Sequence, residues 1–210
     1  MKLLILLSFL ILVSPVISLS QKKENKELTQ PNKMISFVPF YLVTNGIRID
    51  FDRKIKENHW LQIAPQFYLR EHGDNDPGDY YNNRRFTNLV GAGLHLYHRV
   101  YMNKEFSRLN PYMSYGATWQ YFNLKYNETP FSNEIERYSE INKVGGDAIV
   151  GFVFVLNNFL ALDFYGGVGY RYSFLHSDAT DPIKFNNFYT DYGYKGNLIT
   201  TGVRISFLRN

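Results

Sequence analysis

Between residues 47 and 55 the chain reads IRIDFDRKI, with apolar residues at nearly every odd position and charged residues at every even one. A β-strand sends successive side chains to opposite faces of its sheet, so this segment has one apolar face and one charged face. The alternation recurs in seven further segments of the chain. A fold built from such segments needs one environment for its apolar faces and another for its polar faces.

Period-two alternation and turn signals together predict eight strands. The first strand precedes Asn45 and Gly46, a pair that is preferred in two-residue hairpin turns. The predicted strands cover residues 35–43, 47–55, 60–70, 86–101, 111–125, 144–156, 159–174 and 197–207. Long polar connections at 71–85, 126–143 and 175–196 alternate with short ones, which is typical of barrels with long external loops and short periplasmic turns.

The amino-terminal segment has the features of a secretory signal. Lys2 supplies a positive charge, an apolar run follows to Val13, and Ser18 and Ser20 suit a cleavage site before Gln21. We therefore expect a signal peptide over residues 1–20, a flexible polar leader over 21–33 and a single domain over 34–210. The chain has no cysteine, so neither a lipid-modified cysteine nor a disulfide framework is available.

The alternation does not say which face lies inside a barrel, and a secreted lipocalin-like barrel would enclose the apolar face. Three features favour a polar interior. Glycines such as Gly93 and Gly169 lie on the charged face, as a narrow lumen requires, and that face carries both signs of charge. The predicted strands also reach the roughly 9–11 residues that cross a bilayer at a tilt. The expected fold is all-β: an eight-stranded, antiparallel, up-and-down transmembrane β-barrel with a polar lumen.

Aromatic residues near the predicted strand ends resemble the two interfacial girdles of such a barrel, although strands enrich aromatics in any setting. On the short-turn side these residues are Trp60, Tyr101, Tyr112, Phe159 and Phe207, and on the long-loop side they are Tyr68, Phe86, Tyr121, Tyr170 and Tyr172.

Two short motifs resemble those of small outer-membrane β-barrel domain proteins. Phe51-Asp52-Arg53-Lys54-Ile55, a short turn and then Trp60-Leu61-Gln62-Ile63 look like their first periplasmic hairpin. Gly93-Leu94-His95-Leu96-Tyr97 is similar to a Gly-x-Arg-x-Tyr strand of that family, with His95 in place of the usual arginine. The resemblance implies an eight-stranded barrel in a bacterial outer membrane and no particular chemistry.

No residue set on the chain predicts catalysis, a metal site or a cofactor. His176 and Ser177 are adjacent on a strand and point to opposite faces, so the histidine is poorly placed to activate the hydroxyl. Asp74, Asp76 and Asp79 resemble half of a calcium loop, but Arg85 occupies the position of its bidentate acid. The net charge of +4 is dispersed, which disfavours nucleic acid as a partner.

The charged faces predict a structural network in the lumen. An eight-stranded barrel has an interior that its own side chains fill, and buried charges there must pair. The predicted members are Arg48, Asp50, Asp52, Lys54, Arg99, Asp163, Arg171 and Arg204. A filled lumen of this kind leaves no diffusion channel.

The preferred function is therefore a non-enzymatic, monomeric outer-membrane barrel with a structural or surface-interaction role. Its expected partners are outer-membrane lipid and an envelope polysaccharide or an extracellular molecule, contacted through the three long loops. The alternatives are a lipid-modifying barrel enzyme (a lipid A or phospholipid acyl hydrolase or transferase) and a narrow solute channel. The predicted contact surface is the aromatic cluster of the last loop: Phe185, Phe188, Tyr189, Tyr192 and Tyr194.

Overall fold

A computed structural model describes residues 30–71, 86–128, 135–187 and 191–210. The predicted signal peptide, all but the end of the leader, and most of the acidic segment from 71 to 85 lie outside these ranges. The strands are β1 (Lys33–Phe37), β2 (Gly46–Lys56), β3 (His59–Glu71), β4 (Asn88–Tyr101), β5 (Leu109–Glu128), β6 (Ile135–Val155), β7 (Leu160–Ser177) and β8 (Gly196–Arg209), and one helical turn, α1, covers Phe40–Val43. No described helix is long and apolar enough to cross a membrane.

The eight strands of the described chain form a closed antiparallel barrel in which each strand pairs with its neighbours in sequence and β8 pairs with β1. The seam sets Ile35 against Phe207 and Ser36 against Ser206. Because the number of strands is even, β1 begins and β8 ends on the same side of the barrel, where Lys33 pairs with Arg209. The predicted strand number and up-and-down order are confirmed.

The two faces of the wall differ in the predicted sense. Along β3, Ile63, Phe67 and Leu69 are exposed on the outer surface, whereas Gln62 and Gln66 are completely buried. The same division holds on β8, where Val203 and Phe207 are exposed and Arg204 is buried. An apolar exterior around a polar interior excludes the lipocalin-like arrangement and is that of a transmembrane barrel.

The first hairpin differs from its prediction. Strand β1 ends at Phe37, six residues before the predicted end, because Pro39 lacks the amide proton that the ladder needs. The chain then forms α1 and reaches β2 through Asn45, whose φ of 59° is left-handed. The predicted two-residue turn over Asn45 and Gly46 is therefore wrong, since Gly46 already belongs to β2.

The β5–β6 hairpin is longer than its prediction. Strand β5 continues to Glu128 and β6 begins at Ile135, so most of the segment 126–143 is strand and not loop. Lys125 pairs with Tyr138 and Asn127 with Glu136 in an unbroken register. The extra pairs lengthen the hairpin at its loop end.

The predicted aromatic girdles are only half correct. On the short-turn side Trp60, Tyr101 and Tyr112 are buried in the lumen, and only Phe159 and Phe207 face outward. At the other end Tyr170 and Tyr172 are exposed, Tyr121 is half-buried, and Tyr68 and Phe86 are buried. The inward rings fill the barrel and do not contact lipid.

Candidate functional site in the barrel lumen

Arg204 lies at the centre of a buried group of charges in the lumen. Its Nε lies 2.8 Å from an oxygen of Asp50, and its Nη1 lies 2.7 Å from an oxygen of Asp163. Arg99 approaches Asp163 at 3.3 Å and Asp52 at 3.6 Å. Two arginines from β4 and β8 thus connect acids on β2 and β7 across the lumen. All of these side chains are almost fully buried, and low dielectric makes such pairing necessary.

Arg48 continues the network toward the external end. Its Nε and Nη2 donate to the two oxygens of Asp50, at 2.6 and 3.0 Å, so the contact is bidentate. Its Nη1 also donates to the Tyr41 hydroxyl at 3.1 Å and lies 3.4 Å from Nδ1 of His95. Asp50 therefore holds two guanidinium groups, those of Arg48 and Arg204.

A second bidentate pair lies on the opposite wall. Arg171 of β7 donates to both oxygens of Asp147 on β6, at 2.7 and 2.9 Å. The Tyr97 hydroxyl donates to the same carboxylate and lies 2.8 Å from Nδ1 of His95. Asp147 is an added member, since it lies on the predicted charged face but outside the predicted network.

The structure brings together seven of the eight residues of the predicted network. The exception is Lys54, which is half-buried near the short-turn end and makes no ion pair within the described part of the chain. Tyr112 was not predicted as a member, but its hydroxyl donates to Asp163 at 2.7 Å and accepts from Arg204 at 3.0 Å. The alternation along β5 places Tyr112 on the same face as Ser114, which is the lumen face. The sequence therefore already contained the signal that Tyr112 points inward.

Aromatic rings close the external end of the lumen. Phe185 and Tyr192, both in the connection between β7 and β8, are each only 5% exposed. Their rings both pack against the ring of Phe86. The ring centre of Tyr192 also lies 4.9 Å from the ring centre of Phe122. The ring of Tyr68 packs on the same group. We call these five residues the aromatic cap.

The aromatic cap changes the interpretation of the last loop. Phe185 and Tyr192 face inward and are not presented to a partner, Tyr194 is half-buried, and Phe188 and Tyr189 lie outside the described residues. The backbone of the loop also contacts the wall, since the Tyr194 carbonyl accepts from the Ser173 hydroxyl at 2.7 Å. The described part of this loop therefore folds back over the barrel.

A cavity of about 190 Å³ lies between the charge network and the aromatic cap. Its polar lining includes Arg48, His95, Gln120, Lys143, Asp147, Arg171 and Asp191. Lys143 was assigned to a loop in the sequence, yet it lies on β6 and is only 7% exposed. Its position four residues before Asp147 places it on the lumen face of a continuous strand, and this was the signal that could have found it.

The described residues form no nucleophile–base pair at the candidate Ser177. Its hydroxyl donates to the Tyr138 carbonyl on β6, and the amide of Ala179 donates to the serine oxygen. The described ranges also contain no group of three or more acidic or histidine side chains that could hold a metal ion. What the site does offer is buried cations and hydrogen-bond donors around a small cavity.

These features define the class of the protein: a small eight-stranded antiparallel β-barrel with the apolar exterior and polar lumen of a transmembrane barrel. Among solved structures, the chain resembles Neisserial surface protein A with 11% identity and a TM-score of 0.38, over 85% of this chain and 90% of that one. It also resembles CarO of Acinetobacter baumannii with 11% identity and a TM-score of 0.37, over 87% of this chain and 100% of that one. No protein-family model matches the sequence, and comparison with curated proteins finds no match.

Proposed function

We propose that this chain is a non-enzymatic outer-membrane barrel, closed to solute flow, that acts through its external half as a structural or surface-interaction protein. The observation that carries the proposal is the double closure of the lumen. Arg204, Arg99 and their acids fill the barrel below the cavity, and the aromatic cap covers it from above. A solute would have to displace both layers to cross.

The proposal includes export with cleavage before Gln21 and a monomeric barrel in contact with outer-membrane lipid. Over most of the wall each strand is hydrogen-bonded to a neighbour on both sides, so the barrel needs no second copy to complete its sheet. The external partner would be an envelope polysaccharide or an extracellular molecule that meets the rim of the barrel.

Planar-bilayer recording tests the closure. We expect the purified full-length barrel to give no unitary current in salt solution, and the same result when Tyr192→Ala opens the cap, because the charge network still blocks the lumen. Steady single-channel currents from the native barrel would contradict the proposal and favour the solute channel.

A second assay tests the enzymatic alternative. Incubation with outer-membrane lipid and mass analysis should show no loss or transfer of acyl chains. Loss of acyl chains that stops in the Ser177→Ala variant would identify a lipid-modifying enzyme and refute the proposal.

A further inference from the structure

The barrel wall is incomplete on its external half between β1 and β8. The β1 ladder ends where Phe37 pairs with Ile205, but β8 continues toward Gly196. Continuation of the register would set Pro39 against Val203, and proline has no amide proton to donate. Within the described residues, the edge of β8 above Ile205 therefore has no β-strand partner on this side.

Hydrogen bonds at the closed end show which backbone groups point toward this edge. The carbonyl of Arg209 accepts from Asn32, which precedes β1, whereas the amide of Leu208 donates to the turn before β7. Odd-numbered residues of β8 thus direct their backbone groups toward β1. Along the edge these residues are Ile199, Thr201 and Val203.

The backbone groups of these three residues make no hydrogen bond toward β1 anywhere in the described ranges. Their side chains face outward beside Phe164 and Val168 of β7, within the apolar surface of the wall. An unsatisfied backbone group in hydrocarbon costs several kcal/mol, so an open edge at this depth requires a polar partner or a local path to water.

Helix α1 lies beside the edge and leaves a passage to the lumen. It packs mainly on β2, while Phe40, Leu42 and Val43 expose more than half of their surface on the outside. The lumen cavity is lined by Tyr41 and Thr44 on one side and by Leu198 to Thr201 on the other. We call this passage between α1 and residues 198–203 of β8 the lateral opening.

The inner end of the passage carries a cation with few partners. The ammonium group of Lys143 donates one hydrogen bond in the described chain, to the carbonyl of Asp191 at 3.0 Å. It also lies 5.6 Å from the ring centre of Phe122 and is attracted by the carboxylate of Asp191. His95 also lines the cavity, and its Nε2 is buried without a hydrogen-bond partner among the described residues. The neighbouring carboxylate of Asp147 is already held by both nitrogens of Arg171. Because the Tyr97 hydroxyl donates its proton to Asp147, Nδ1 of His95 donates to Tyr97 and Nε2 is an acceptor. The unused donors that face this space are therefore those of Lys143.

We propose that the lateral opening binds one phosphate-bearing lipid of the surrounding membrane, with its anionic head in the cavity and its acyl chains outside against α1 and β8. Lys143 donates to the phosphate. The cavity of about 190 Å³ is smaller than the pockets that bind drug-sized ligands. It suits the small head group of a lipid whose acyl chains stay in the bilayer. The exposed apolar side chains of α1 and β8 contact the acyl chains of the lipid. The head group, or water bound to it, forms hydrogen bonds with the open backbone edge of β8.

Native mass spectrometry of the full-length barrel tests this proposal. The barrel is reconstituted in nanodiscs of dioleoylphosphatidylcholine doped with dioleoylphosphatidic acid and released into the gas phase. We expect one retained phosphatidic acid per barrel and no comparable retention of phosphatidylcholine. Lys143→Gln should lower retention about tenfold, since a charge-assisted hydrogen bond is lost. Lys125→Gln, at a lysine half exposed outside the lumen, is the matched control and should not change it.

The route is tested with one large ring at the opening and one elsewhere on the outer wall. Leu198→Trp places a ring at the mouth of the cavity and should abolish retention. Val90→Trp, on the outer face of β4 and away from the opening, should preserve it. Equal retention of the two lipids, or unchanged retention in both Lys143→Gln and Leu198→Trp, would overturn the proposal. Displacement by soluble glycerol phosphate would also overturn it, because the site would then face water and not the membrane.

This inference rests on the proposed closed barrel, but the two fail separately. An open channel would give current in the bilayer whether or not phosphatidic acid is retained. Loss of lipid retention in a barrel that gives no current would remove only the lateral site.

Discussion

Replacing Arg204 with leucine removes the central cation of the lumen and leaves two acids behind. Asp50 keeps its bidentate contact with Arg48, and Asp163 keeps Arg99 at 3.3 Å and the Tyr112 hydroxyl at 2.7 Å. Breaking a buried pair from one side costs about 3–5 kcal/mol, and the remaining partners place this case near the lower value, about 3 kcal/mol. For a chain of this size that corresponds to a melting temperature lower by about 6–12 °C.

The assay is thermal unfolding of Arg204→Leu in detergent beside Thr201→Leu. Thr201 lies on the same strand and faces outward, so its replacement adds an apolar side chain to an apolar surface and should change stability by about 0.5 kcal/mol or less. Equal melting temperatures for the two variants would refute the argument. Lone charges would then be tolerated in the lumen, as in a hydrated pore.

Three further outcomes are expected. Gly169→Ala should destabilise the barrel because a Cβ at that position collides with the carboxylate of Asp147. A Cβ at Gly166 meets no atom within 4 Å, so Gly166→Ala should melt like the native chain, and equal losses in the two variants would contradict the packing. Tyr192→Ala should release the last loop so that trypsin cuts at Lys195 on intact cells, and a loop that stays resistant would show that other contacts hold it. Sequencing of the protein recovered from the outer membrane should begin at Gln21, and an uncut amino terminus would refute the signal peptide.

The sequence predicts the two faces of the wall well because successive side chains of a strand point to opposite faces. Once one side chain of a strand is known to face the lumen, the direction of every other side chain on that strand follows. Arg48, Arg99 and Arg204 all point inward for that reason. The same rule already placed Trp60 on the face of Gln62, so its assignment to an outer girdle conflicted with its own strand. Aromatic content alone was a weaker guide than the alternation.

Other features depend on contacts that a period cannot encode. The residues from Phe40 to Val43 have strand-like composition, but Pro39 ends the ladder before them and they form α1 instead. Which acid each arginine reaches depends on how the strands are staggered around the closed barrel. The burial of Tyr192 depends on the path of a loop whose sequence is equally compatible with an exposed surface.

Labelling of single cysteines tests the central claim of an apolar exterior and a polar interior most directly. The chain has no native cysteine, and Met113 and Ser114 are neighbours on β5 that are 56% and 4% exposed. In outer membranes, Met113→Cys should react with a lipid-soluble maleimide, and Ser114→Cys should be protected until the barrel is unfolded. Protection of position 113 together with reaction at position 114 would mean that the barrel is inside out relative to this account.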